Sequence, residues 1–285
     1  MYERYYQPMQ YTRFVPVSYE AGPEATSVDI VIEDRVGAAQ WADSLANDTP
    51  TVDVSYARSS FPIHHGKAGY EFSQQELRQS AFLRRPLPES RLKTAIEAYQ
   101  RKLNSVGLLG DTAKNLTGLY NNANVTAAAT TSGKAWVSTT TVAEILNDFN
   151  VALYNQWAAS GYNVVADTLI LPALAYQYIN STPASPTIPN ITILKYMQEN
   201  NLCVTERGKP FTIAPGFDLA TAGSGGVTRA VLYDNSPMTV KFHVPMALQF
   251  LAPQLQDVMV KVPGEFRASG VVVMRPTNMR YIDGT

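Results

Sequence analysis

Apolar and polar positions alternate with a period of two at two places early in the chain. In SVDIVIEDRVG, Val28, Ile30 and Ile32 are set against Asp29 and Glu33, which predicts a short strand. In TVDVSYARSS, Val52 and Val54 share one face and Asp53 and Ser55 the other, which predicts an extended ribbon. Pro62, Gly66 and Gly69 place a turn in FPIHHGKAG, and YEFS reads as the return strand. On this reading residues 51–72 form a hairpin, with arms of about ten residues reaching ~30 Å at ~3.3 Å per residue. A two-stranded ribbon with no third strand nearby is marginal in water, and the helix that follows is too narrow to cover it. The ribbon is therefore expected to leave its own domain and lie on a neighbouring chain.

The period then lengthens. Ser73 and Glu76 form a capping box, so a helix is expected to start at Gln74 and to break at Pro86 and Pro88. Pro88 suits the first turn of a second helix. That helix carries Leu92, Ile96, Tyr99, Leu103 and Val106 as one apolar stripe, ended by Gly107 and Gly110. Its length of about 20 residues gives a spine of ~30 Å. A long Asn-, Thr- and Ala-rich loop follows. Thr141 and Glu144 form a second capping box, opening a helix that buries Val142, Ile145, Phe149, Ala152, Leu153 and Trp157 and stops at Gly161. NVVADTLIL reads as a buried strand, Pro172 opens a helix at ALAYQYI, and residues 181–190 form a Pro-rich loop. Asn190 is expected to cap ITILKYMQENN, with LCVTE as a strand after it. From Thr212 onward the chain is β-rich, with RAVLYD, TVKFHV, DVMVKV and GVVVMRP as strands and PMALQFLAPQLQ as a short helix or irregular segment. The class is α+β with two intermixed lobes.

Composition adds a reason to look outward. Of 285 residues only 16% are charged, against ~25% in typical soluble domains, while 45% are hydrophobic and 16 are Tyr. Such a surface suits burial against other chains, although a Tyr-rich enzyme has the same composition. Tyr2, Tyr5, Tyr6, Tyr11, Phe14 and Tyr19 make residues 1–35 an aromatic arm, expected to adhere to its own domain or to a neighbour. A net charge of −1 offers no field to steer nucleic acid or a membrane surface, though it is compatible with a wall that merely encloses DNA. Cys203 is the single cysteine, so no intrachain disulfide forms, which fits a reducing compartment. MYERYYQPMQYTRF has no signal-peptide pattern, and no run approaches the ~18 apolar residues of a membrane span.

Candidate chemistry is sparse. His64 and His65 are adjacent in an extended segment and so point to opposite faces, where they cannot share a metal; His243 lies in a predicted strand. No ligand spacing of the usual kind occurs. The GSGG run at 223–226 lacks a following Lys-Ser/Thr and a strand-to-helix step, so it is a flexible loop and not a phosphate cradle. No G-x-S-x-G elbow is present. Asp111 and Glu71 are lone carboxylates, at a helix-end loop and on a ribbon face. The expectation is of no catalytic residue, no cofactor and no metal.

The combination YEFSQQELRQSA, the stripe LKTAIEAYQRKLN and the loop GLLGDTAKNLTGLYNN resembles tailed-phage major capsid proteins of the Hong Kong 97-type fold. FDLATAGSGGVTRAVLYDNSPMTVKFHVPMALQF and FRASGVVVMRPTNMRYIDG look like the ending of a phage and prophage branch of that family, which is related to encapsulin-like shell proteins. The resemblance implies an N-terminal arm and first strand over 1–48, an extended hairpin loop over 49–73, a peripheral domain with the spine helix over 74–140, a mainly axial domain over 141–235, and strands returning to the peripheral domain over 236–285. It implies a non-enzymatic subunit that assembles with itself into pentamers and hexamers of an icosahedral phage head around double-stranded DNA, formed in the bacterial cytoplasm with scaffold, portal and decoration proteins as partners and no membrane. Some relatives cross-link a loop lysine to a neighbour's asparagine. Lys67, the only lysine before residue 93, is the sole counterpart here. The nearest rival is an encapsulin-like bacterial nanocompartment shell. The rival from another class is a hydrolase with an unrecognised site, which would elute as a small oligomer where a shell subunit elutes as rings or particles.

Overall fold

A strand with one bare edge seeks a partner, and the predicted ribbon finds one upstream. In the computed structural model, which describes residues 6–37, 39, 41, 51–82, 87–185 and 188–285, Ser27–Val36 pairs antiparallel with Asp53–Pro62 along ten residues each. The register runs from Ser27 opposite Pro62 to Val36 opposite Asp53. This corrects the expected hairpin over 51–72: its first strand is right, but its partner precedes it. The expected turn and return strand belong to the body of the molecule. His64–Lys67 pairs with Gly264–Ala268, and Tyr70–Ser73 pairs with Met259–Val262. Gly66 is there for packing and not for a turn, since a Cβ on it would lie 2.2 Å from the Phe266 ring.

Ser73 Oγ accepts from the Glu76 N–H at 3.1 Å and Glu76 Oε2 from the Ser73 N–H at 2.9 Å, so the helix Gln74–Phe82 starts where its capping box places it. The spine helix is Leu87–Leu108, with Pro88 in its first turn. Leu103 and Val106 are buried, and Tyr99 sets its ring 4.9 Å from that of Phe266. Ile96 departs from the expected stripe. It is 37% exposed, and Ala95 is buried in that turn instead. Ala95, four residues before Tyr99 and eight before Leu103, continues the same helix face in place of Ile96. Gly107 also departs: it lies inside the helix, with room for a Cβ only 3.3 Å from Tyr11 Cβ. Gly110, at φ +78°, makes the reversal.

Five strands in the order Thr212–Gly216, Thr168–Pro172, Arg229–Tyr233, Met279–Asp283, Ala127–Ala129 form the largest sheet. Strand alternation divides its side chains between two cores. Val231, Tyr233 and Tyr281 join the core beneath the spine helix with Leu103, Leu119, Tyr120 and Phe242. Leu232 and Ile282 join the other core with Ile145, Phe149, Leu153, Ile179 and Met197. The predicted buried strand is the interior strand Thr168–Pro172, and all five of its residues are buried. The helix over it, Val142–Ala159, begins in the expected Thr141–Glu144 capping box. Segment 236–285 supplies strands to the smaller sheets and also Met279–Asp283 to this sheet.

Local chemistry overrides the sequence expectation at four further places. LCVTE is a helix, Leu202–Arg207, because Asn201 Oδ1 accepts from the Val204 N–H at 3.1 Å and Gly208 supplies a left-handed stop at φ 62°. Thr192, not Asn190, caps Ile193–Glu199, and the Pro-rich segment pairs as Pro183–Ser185 with Ile188–Thr192. PMALQFLAPQLQ contains the strands Met246–Phe250 and Gln254–Gln256, with half-buried Met246, Leu248 and Phe250 alternating with exposed Ala247 and Gln249. The Asn- and Thr-rich loop contains the short strands Leu116–Thr117 and Ala127–Ala129 and buries Leu119 and Tyr120.

Of the two surfaces open to the aromatic arm, residues 10–18 take their own domain. Phe14 and Val15 are each 1% exposed. The Tyr233 hydroxyl donates to the Phe14 carbonyl at 2.7 Å, and Asn104 Oδ1 accepts from the N–H groups of Gln10 and Tyr11 at 2.7 and 3.1 Å. Val17–Ser18 then runs parallel to Phe242–His243.

Candidate functional site

Each polar residue singled out in the sequence now has a place, and the fold does not gather them. His64 and His65 do face apart: His64 Nε2 lies 3.0 Å from the Lys114 carbonyl and His65 Nε2 lies 3.1 Å from Glu265 Oε2. Lys67 is exposed and sits in the same body strand opposite Glu265, not at a ribbon tip, so the position expected of it is corrected. Asp111 accepts from Lys102 at 2.8 Å, and that hydrogen bond holds its carboxyl below the usual range. Glu71 pairs in register with Lys261. Cys203 is buried, and burial pushes its thiol up. At the GSGG loop the Ser224 N–H donates to Asp283 Oδ2 at 3.3 Å, so a carboxylate stands where an anion cradle would need an opening. Among the described residues no group of three or more His, Cys, Asp or Glu is placed to hold a metal, and no helix is long and apolar enough to cross a membrane.

What the fold does assemble is surface. Residues directly opposite in an antiparallel pair share a face. One face of the ribbon therefore carries Val28, Ile30, Ile32, Val36, Ala57 and Phe61, interrupted toward its outer end by Asp34, Asp53 and Ser55. The other carries Asp29, Glu33, Arg35 and Arg58 together with exposed Val31, Val54 and Tyr56, so Val54 does not share a face with Val28, Ile30 and Ile32. Arg58 is paired to Asp29, and Arg35 lies 2.9 Å from Glu33. The apolar face is half-buried at its root and bare further out, where Ile32 is 45% and Val36 61% exposed. A two-stranded ribbon whose outer apolar side chains no described residue covers is suited to being covered by something else.

A second apolar surface lies on the body beside Tyr70–Ser73. The hairpin of Gln254–Gln256 and Met259–Val262 turns at Asp257, φ 53°, and exposes Leu255, Val258 and Met259. The Gln74 N–H donates to the Val258 carbonyl at 3.0 Å, so Gln74–Phe82 begins beside it, with Leu77 and Phe82 also exposed. The ribbon's hydrophobic alternation was visible in sequence. Half of this hairpin was visible too, since DVMVKV reads as a strand, whereas Gln254–Gln256 falls in the segment expected to be a short helix or irregular.

Comparison with known proteins adds the context that surface geometry alone lacks. A family model described as "Major capsid protein" matches residues 37–285. No curated protein matches the chain. Among solved structures, "The capsid of Myoviridae Phage XM1" is similar over 100% of this chain and 95% of that one, with a TM-score of 0.85 at 19% identity. A structure from Mycobacterium phage Ogopogo is similar over 99% and 94%, with a TM-score of 0.64 at 9% identity. A virus-like particle from Pyrococcus furiosus is similar over 95% and 91%, with a TM-score of 0.53 at 14% identity. At these identities the likeness is one of fold.

Proposed function

The chain belongs to the major capsid protein family and has the Hong Kong 97-type fold, and on that premise we propose that it assembles with itself into the pentamers and hexamers of an icosahedral phage head around double-stranded DNA. The observation that carries the proposal is the ribbon of Ser27–Val36 and Asp53–Pro62, whose outer apolar side chains have no cover among the described residues. Reusing one heterologous contact around a ring closes it without a new surface per subunit. The ribbon is the projecting loop of that contact, and the exposed hairpin at Leu255 and Val258 belongs to a second contact between copies. A net charge of −1 suits a wall that holds its genome by enclosure and not by grip.

The spine helix and the sheets around it form the peripheral part over 74–140. The axial part centres on 141–235, and 236–285 returns strands to both. The work of the molecule is geometric, and no catalytic turnover is assigned to it. Scaffold, portal and decoration proteins are its further partners, and the virion head is its location. The test is electron microscopy of the purified chain with size-exclusion chromatography: rings or closed particles are expected, and a lone monomer or small oligomer under all assembly conditions contradicts the reading. A nanocompartment shell is the alternative reading, and the match of residues 37–285 to the major capsid protein family supports the phage head.

A further inference from the structure

His243 is a buried imidazole with neither ring nitrogen in a hydrogen bond, and it stands where the N-terminal arm joins the body. The arm's short strand Val17–Ser18 makes its sheet contact here. Ser18 is the register partner of His243, the Phe242 N–H donates to the Pro16 carbonyl at 2.9 Å, and the Val244 N–H donates to the Ser18 carbonyl at 2.9 Å. Just beyond, Glu20 crosses to Lys241, Oε2 to Nζ 3.3 Å, on the strand that carries the histidine. A buried polar group without a partner is tolerated only in its neutral form, because a charge there lacks both water and a counter-group.

We infer that His243 is a proton-operated latch for the N-terminal arm: neutral, it lets the arm dock along Phe242–His243, and protonated, it drives the arm off so that the ring meets water.

The charged groups around the ring set the direction. Burial lowers its proton affinity most, Lys241 on its own strand lowers it further, and Glu20 on the arm raises it. The strand Val271–Val273 on its other side and the Ser269–Gly270 link bring no titratable side chain. Glu20 is already committed to Lys241 and Ser18, and those contacts hold its own carboxyl below the usual range, so it stays ionised through mild acid. The docked state therefore has the lowered affinity, and the free arm leaves the ring near its ordinary value of about 6.5. Docking is at full strength above that value. It weakens progressively as pH falls below it toward the lowered docked value. The strand register and the two arm-accepting amides make the latch local, so release does not require unfolding of the five-stranded sheet.

Hydrogen exchange on the full-length free chain tests this through the Phe242 and Val244 amides, which the arm itself protects. Corrected for intrinsic rate, their opening should rise by up to about thirtyfold between about pH 7.5 and about pH 5, the limit set by a reference value of about 6.5. Amides of the interior strand Thr168–Pro172 should stay unchanged. His243→Gln should flatten the rise, and His243→Leu serves if the first variant does not fold. A measurement on the wild-type chain needs no variant: its imidazole should titrate only together with loss of Phe242 and Val244 protection. A flat wild-type profile, an undiminished rise in the folded variants, or a ring that titrates near 6.5 while those amides stay protected overturns the latch.

Discussion

Leu103 is 2% exposed beneath the spine helix, among Val106, Leu119 and Phe242 in one core, so its side chain is a direct probe of that packing. Leu103→Asp places an unpaired charge there and should cost at least ~3 kcal/mol, read as a large fall in melting temperature. An unchanged melt would contradict the assignment of this face. Arg229 and Asp283 form a second probe. Arg229 is nearly buried, donating Nε to Oδ1 at 2.6 Å and Nη2 to Oδ2 at 2.9 Å, with Nη1 on the Tyr120 carbonyl at 2.9 Å. Burial pushes the Asp283 carboxyl up, but the Arg229 hydrogen bonds and the Ser224 N–H outweigh it and hold it below the usual range. The pair's contribution is thus complete above the unfolded value of about 3.9 and is lost as pH falls through the lowered folded value. Asp283→Asn strands the guanidinium and should cost ~3–5 kcal/mol in urea unfolding at neutral pH, with the gap to the wild type closing in strong acid. The scarcity of candidate chemistry was countable at this scale, with three histidines and one cysteine. The Gln10–Asn104 tie and the His243 burial were not legible, because each depends on residues far apart in sequence.

Elements whose signals are local were readable in the chain, and those defined by distant pairing were not. Both capping boxes start their helices where Ser73–Glu76 and Thr141–Glu144 place them, because a cap is closed within four residues. The Val52–Val54 alternation marked a real strand, yet its partner lies upstream at Ser27–Val36, and no period reveals which of two strands a third will choose. Gly66 misled for a related reason: it answers to Phe266, 200 positions away, and not to a turn. The corrected pairing changes what a deletion should do. Removing the outer ribbon, residues 33–56, should leave a native-like circular dichroism spectrum and a cooperative melt, because both cores lie elsewhere. The same variant should fail to form particles by electron microscopy. Removing 64–67 should instead damage the fold, since that strand closes the sheet with Gly264–Ala268. Intact particles from the 33–56 deletion would remove the ribbon from the assembly contact.

Over the described residues, two cores share one sheet, an arm is tied into the first core, and a two-stranded ribbon leaves the body with its outer apolar side chains uncovered. The succession of arm, strand and spine helix was legible because each part has its own composition. The way 236–285 feeds both lobes was hidden, because a strand's sheet is set by its partners and not by its residues. The central claim is that this chain's function is the geometry of its contacts with copies of itself. The measurement that tests it most directly is a cryo-electron-microscopy reconstruction of particles assembled from the purified full-length chain. The account predicts closed icosahedral shells of five- and six-membered rings, with Ile32 and Val36 buried against a neighbouring subunit. Shells in which those residues stay in solvent, or a chain that never passes beyond a small oligomer, would contradict it.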